Sequence, residues 1–152
     1  MASRGYTLVE LLVVIAVIGI AAGAVVLSLR GNDARRLAEE GDRLAALFRM
    51  AQSDARVSGR PVLWQADLAG YRFRALGYDG AAPLPEELAR ERRWPLEVRR
   101  LQRAELLFGR EPLREPVEVE IATDGPVLRL VLDALGNARV AACEGAGCAA
   151  SR

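Results

Sequence analysis

Glu10 is the residue of this 152-residue chain whose position most needs a chemical explanation. It stands at the start of an uncharged apolar run, residues 11–29, behind a short basic leader that contains Arg4. A carboxylate inside an apolar membrane helix costs on the order of 2.5–3.5 kcal/mol at the centre and less near an end, so such a residue marks a function and a cationic partner. Two other groups have reactive side-chain types. Cys143 and Cys148 flank Glu-Gly-Ala-Gly, a short loop that a disulfide would close in an oxidising compartment, with two free thiols as the alternative. Arg90, Arg92, Arg93, Arg99, Arg100 and Arg103 surround Trp94, and against Glu91 and Glu97 they leave a net charge of +4. That segment reads either as a solvated strand edge and loop or as a track for a nucleic-acid backbone with an indole to stack on a base.

The missing residue types narrow the chemistry further. There is no histidine, which excludes Ser-His-Asp and Cys-His catalytic pairs. One pair of cysteines cannot complete a closed four-ligand zinc site of the N/S kind. No Gly-x-x-x-x-Gly-Lys segment is present to cradle a phosphate, and no acidic loop offers a convincing calcium ligand set. The expectation is a protein that is not an enzyme and uses no metal or other cofactor. All 21 basic residues are arginine, which genome base composition accounts for, and the net charge of +1 argues neither for nor against nucleic acid.

The elements that must position these groups begin with the apolar run. Its 19 residues nearly cross a hydrocarbon core of roughly 30 Å at about 1.5 Å of rise per residue. The run is longer than the apolar part of a signal peptide, and no clean small-residue cleavage site follows it. A retained membrane helix is therefore expected. Gly19 and Gly23 form a Gly-x-x-x-Gly spacing near Ala16, Ala22 and Ala24, a face on which neighbouring helices can approach closely, although glycine is also simply common in membrane helices.

Arg4-Gly5-Tyr6-Thr7-Leu8-Val9-Glu10, running into that helix, resembles the N terminus of type IV prepilins and type II secretion pseudopilins. The resemblance implies cleavage between Gly5 and Tyr6 by a membrane-embedded prepilin peptidase on the cytoplasmic side, and methylation of the new amino terminus at Tyr6. Phenylalanine is commoner at that position, and Tyr6 keeps the aromatic ring. The apolar helix stays on the mature protein, and Glu10 of one subunit neutralises the Tyr6 amine of its neighbour inside the filament. An uncleaved signal anchor, with Glu10 at the headgroup level, is the alternative.

Beyond the membrane, Ala34, Leu37, Ala38, Leu44, Leu47, Phe48, Ala51 and Ala55 recur at helical spacing, with Arg35, Glu39, Glu40, Asp42 and Arg43 around them. The expected organisation is a leader over 1–5, a transmembrane and assembly helix over 6–29, its amphipathic continuation over 30–57, and a periplasmic β-rich head over 58–152. Gly31 and Gly41 allow local bends, or are absorbed at a cost of about 1 kcal/mol each. The head reads as one sheet. It has a hairpin around residues 68–70, a helical turn within 86–93, strands over 96–101 and 105–108, and a meander over 117–121, 127–132 and 138–142. The meander's apolar face is expected on the Leu44, Phe48 and Ala51 side of the rod. The fold class is α+β, a long N-terminal helix packed on an antiparallel head, as in type IV pilins.

Residues 54–62, Tyr71-Arg72-Phe73, Trp94-Pro95 and residues 133–140 extend the resemblance toward the H-type branch of minor pseudopilins and related minor pilins. It implies a single-pass inner-membrane protein with a cytoplasmic N terminus, assembled into a periplasmic pseudopilus that exports folded proteins. The implied partners are the prepilin peptidase, other major and minor pseudopilins and the inner-membrane assembly platform. Nucleic acid enters only under the alternative, a minor pilin of a type IV pilus that serves pilus assembly or DNA uptake.

Overall fold

The computed structural model describes residues 8–77, 83–111 and 115–144, apart from the side chains of 23–31 and 142–144. Helix α1, Leu8–Ser58, holds 51 residues, about 77 Å at 1.5 Å per residue. Its backbone passes Gly31 and Gly41 without interruption, and the Gly59 N–H donates to Ala55 O at 3.1 Å to close its last turn. The head-side half is held by its apolar stripe. Ala34, Leu37, Leu44, Ala45, Leu47, Phe48, Ala51 and Ala55 are all buried, while Arg35, Arg36, Glu39, Asp42 and Arg43 are exposed.

Among the described residues the head contains two four-stranded antiparallel sheets where the sequence reading expects one. The first has the order β3-β2-β1-β5, built from β1 (Val62–Ala66), β2 (Gly70–Ala75), β3 (Arg92–Arg93) and β5 (Glu105–Phe108). The second has the order β4-β6-β7-β8, built from β4 (Val98–Leu101), β6 (Val117–Thr123), β7 (Val127–Leu132) and β8 (Ala138–Glu144). Residues 102–104 divide them. The Gln102 N–H donates to Glu120 O at 3.0 Å and prolongs β4 on the second sheet, whereas Ala104 O accepts from the Ala66 N–H at 2.8 Å and opens β5 on the first. The helical turn is shorter than expected. It is α2, Glu86–Ala89, after which Arg92–Arg93 pair with Tyr71 and Gly70 as β3.

Phe48 is the hinge of the core. Its ring lies 5.1 Å from Trp64 at 84°, 5.4 Å from Phe108 and 6.2 Å from Phe73 at 76°, distances at which aromatic pairs add to simple burial. All three ring partners belong to the first sheet, while β7 and β8 of the meander also pack along this helix. The meander meets the helix about two turns before Phe48, at Gly41, and again beyond it, where Gly136 packs against Gln52. A Cβ placed on Gly41 would lie 2.6 Å from Leu128 Cδ1 and 3.2 Å from Val140 Cγ2, so there the helix backbone rests directly on β7 and β8. Gly41 therefore serves close packing rather than a bend. Polar ties complete the join, with Arg49 Nη1 donating to Ala138 O, Gln52 Nε2 to Gly109 O and Arg56 Nη2 to Leu135 O, at 2.7–2.8 Å.

Candidate functional site

The site that the sequence singles out is the first half of α1. From Leu8 to Ile20 every large apolar side chain is exposed, between 47% for Val14 and 77% for Leu8. A continuous apolar surface of that kind requires lipid or another apolar surface against it. Among the described residues no helix is long and apolar enough to cross a membrane; the apolar run expected over 11–29 continues into residues 23–31, where only the backbone is described. Glu10 sits in the first described turn of α1. It is exposed there among the apolar side chains. At Gly19 a Cβ would meet nothing within 4 Å, so this face of the helix has room for a neighbour.

Several expected site residues lie outside the described structure. Gly5 and Tyr6 precede it, and Cys148 follows it. Cys143 is placed on β8 opposite Leu128, but its side chain is outside the described set, as are the surroundings of Gly23 on α1. The disulfide expectation therefore lies outside the described residues.

The basic segment is described in full, and its charges are largely answered locally. Arg90 pairs with Glu86 at 3.0 Å, Arg92 with Glu87 at 2.8 Å and Arg99 with both Glu97 and Asp124 at 2.8 Å. Arg100 reaches Glu120 at 2.5 Å. The hydrogen bonds and charge of Arg99 hold the Asp124 carboxyl below its ordinary range, and Asp124 in turn raises Arg99. Trp94 is buried, with its indole N–H donating to Asp67 O at 2.7 Å and its ring 4.8 Å from Tyr71. An indole so placed cannot stack on a base, and the nucleic-acid track loses its aromatic platform.

One polar cluster escaped the sequence reading. Glu40, grouped there with the solvated face of the helix, is only 4% exposed. Its Oε1 accepts from the Tyr71 hydroxyl at 2.5 Å, and its Oε2 pairs with Arg43 Nη1 at 2.9 Å. Burial, followed by the hydrogen bond and charge of Glu40, pushes the Tyr71 phenol well above its ordinary value. The signal was present in the spacing, since residue 40 falls three after Leu37 and four before Leu44, on the buried stripe. Among the described residues no group of three or more metal-ligating side chains comes together.

Residues 1–26 match the family model described as the prokaryotic N-terminal methylation motif. No curated protein and no solved structure matches the chain. The motif implies processing by a prepilin peptidase and pilin-type assembly, and together with the long helix and antiparallel β head it supports a type IV pilin-like protein.

Proposed function

We propose that this chain is a minor pseudopilin of a type II protein secretion system. The carrying observation is that a methylation motif runs into one continuous helix, apolar and exposed at its start and buried in a β head at its end. The first half of the helix anchors the protein in the bacterial inner membrane, N terminus in the cytoplasm and head in the periplasm. After cleavage between Gly5 and Tyr6 and methylation of Tyr6, it joins the other pseudopilins through that helix. The pseudopilus then drives folded proteins through an outer-membrane channel. The role is mechanical and non-enzymatic, and the energy comes from an ATPase elsewhere in the assembly. The resemblance to the H-type branch supports the minor rather than the major subunit.

Deleting the gene and measuring exoprotein secretion and transformation in the same strain tests the assignment. Lost secretion with normal DNA uptake is expected; the reverse pattern replaces it with a minor pilin of a type IV pilus. Intact-mass measurement of the membrane-extracted protein should show loss of residues 1–5 and one added methyl group. A mass that retains residues 1–5 removes the filament reading and leaves an unprocessed, membrane-tethered binding module.

A further inference from the structure

The outward face of the first sheet carries an open hollow of about 530 Å³ beside the β1–β2 turn. Its floor is low because Ala66, Ala69, Gly70 and Ala104 contribute little or no side chain. A Cβ at Gly70 would run into the backbone carbonyl of Arg92, so the floor cannot be raised there without moving β3. The walls are long and charged. Gln65 stands opposite Arg72 on β2 and opposite Glu105 on β5, and paired residues of an antiparallel ladder point to the same face. Arg93 stands opposite Gly70, two residues from Arg72 and hence on that face as well. Across the strands the hollow therefore runs from two cations through an amide to a carboxylate. Asp67 and Glu91 line the cation end beside Arg72 and leave Arg93 as its cation without an ion pair among the described residues.

These cations differ from the other arginines of the basic segment. Arg90, Arg92, Arg99 and Arg100 each hold a carboxylate at 3.0 Å or less. Arg72 meets Glu91 only at 3.9 Å, with both side chains more than half exposed, a separation at which a surface pair contributes little. Arg93 has no ion pair among the described residues. At the opposite wall Gln65 Nε2 donates to Glu105 Oε1 at 2.8 Å, which positions that carboxylate and leaves its other oxygen available.

We propose that this hollow binds an extended peptide segment of a partner protein in which an acidic and a basic side chain lie two residues apart. Arg72 and Glu105 are two strands apart, about 10 Å at the usual strand spacing. In an extended chain residues i and i+2 share a side about 7 Å apart, and the length of the ligand's own side chains covers the difference. The acid meets Arg72 and Arg93, where a guanidinium can hold both carboxylate oxygens, and the base meets Glu105. The split polarity fixes the direction in which the segment lies and disfavours purely acidic or purely basic chains. This site goes beyond the assembly reading and does not depend on it.

The test uses the full chain in detergent micelles and fluorescein-labelled Gly-Asp-Gly-Lys-Gly, blocked at both ends, with binding followed by anisotropy. Blocked Gly-Asp-Gly-Asp-Gly and a single-stranded oligothymidylate serve as competing probes. Saturable binding of the Asp/Lys probe is expected, weakened at least about tenfold by Arg72→Glu with Arg93→Glu and likewise by Glu105→Arg. Glu105→Arg should also reverse the preference, favouring the Asp/Asp probe. Because all three side chains face solvent, thermal melting should stay close to that of the parent; should the double variant melt early, Arg93→Ala carries the comparison. The proposal is overturned by no saturable binding up to about 5 mM, by equal binding in the variants, or by oligothymidylate binding that is tighter and insensitive to Glu105→Arg.

Discussion

Burial and the Glu40 carboxylate together keep the proton on Tyr71. Ionising the phenol would place two negative charges within hydrogen-bonding distance in a buried site, with only the more distant charges of Arg92 and Arg43 to offset the phenolate. The sign of the resulting pH dependence follows. The unfolded phenol loses its proton near pH 10, while the folded one retains it to higher pH. Below about pH 10 the contribution is complete and flat, and above it stability falls by about 1.4 kcal/mol per pH unit until the folded phenol also ionises. The Tyr71 phenolate should thus appear in ultraviolet absorbance only as the head unfolds. In Tyr71→Phe that step should be absent and the head less stable by about 1–3 kcal/mol, because a buried carboxylate loses a donor. A Tyr71 signal that titrates near pH 10 in a head still folded by circular dichroism would contradict the geometry.

At the scale of the element, α1 has one backbone and two surfaces, and the residues on each decide what covers it. The stripe of Ala34, Leu37, Leu44, Phe48, Ala51 and Ala55 was readable because helical spacing is local and repeats. Glu40 shared that stripe and was misread because its partner, Tyr71, lies 31 residues away on a strand whose pairing the helix sequence does not contain. Gly41 stayed open between a bend and a tolerated helix glycine for the same reason, since Leu128 and Val140 give it its role. The two glycines of this helix that are open to comparison should behave differently. Gly41→Val forces a branched side chain into the contact with β7 and β8 and should destabilise the head by about 1–3 kcal/mol, as overpacked cores do. Gly19→Ala meets nothing within 4 Å and should leave head melting unchanged. Denaturant unfolding of both variants separates packing from helix propensity, and an unchanged midpoint for Gly41→Val would refute the close approach.

For the molecule as a whole, the legible part was the part written locally. The motif over residues 4–10, the following apolar run and the order of helix before strands all lie in contiguous sequence. The division of the head into two sheets does not, because it depends on β1 pairing with β5 across 40 residues, Gln65 against Glu105, while β4 stays with β6. The hollow between Arg93 and Glu105 is hidden for the same reason. This separation of head from rod also sets the expected behaviour of Glu10. It lies in the first turn of α1, far along the rod from Ala34, where the buried stripe begins, so Glu10→Val should not alter head melting, membrane insertion or removal of residues 1–5. In an assembled filament, loss of the pairing proposed for Glu10 would leave the neighbouring amine uncompensated in an apolar bundle, a cost of about 3–5 kcal/mol for a broken buried pair. Incorporation, measured as the ratio of filament-associated to membrane-extracted protein, should fall more than about tenfold. Glu10→Asp, which keeps the charge on a shorter arm, should recover part of it. Normal incorporation of Glu10→Val would show that the amine finds its counter-charge elsewhere and that this subunit enters the filament without the pairing.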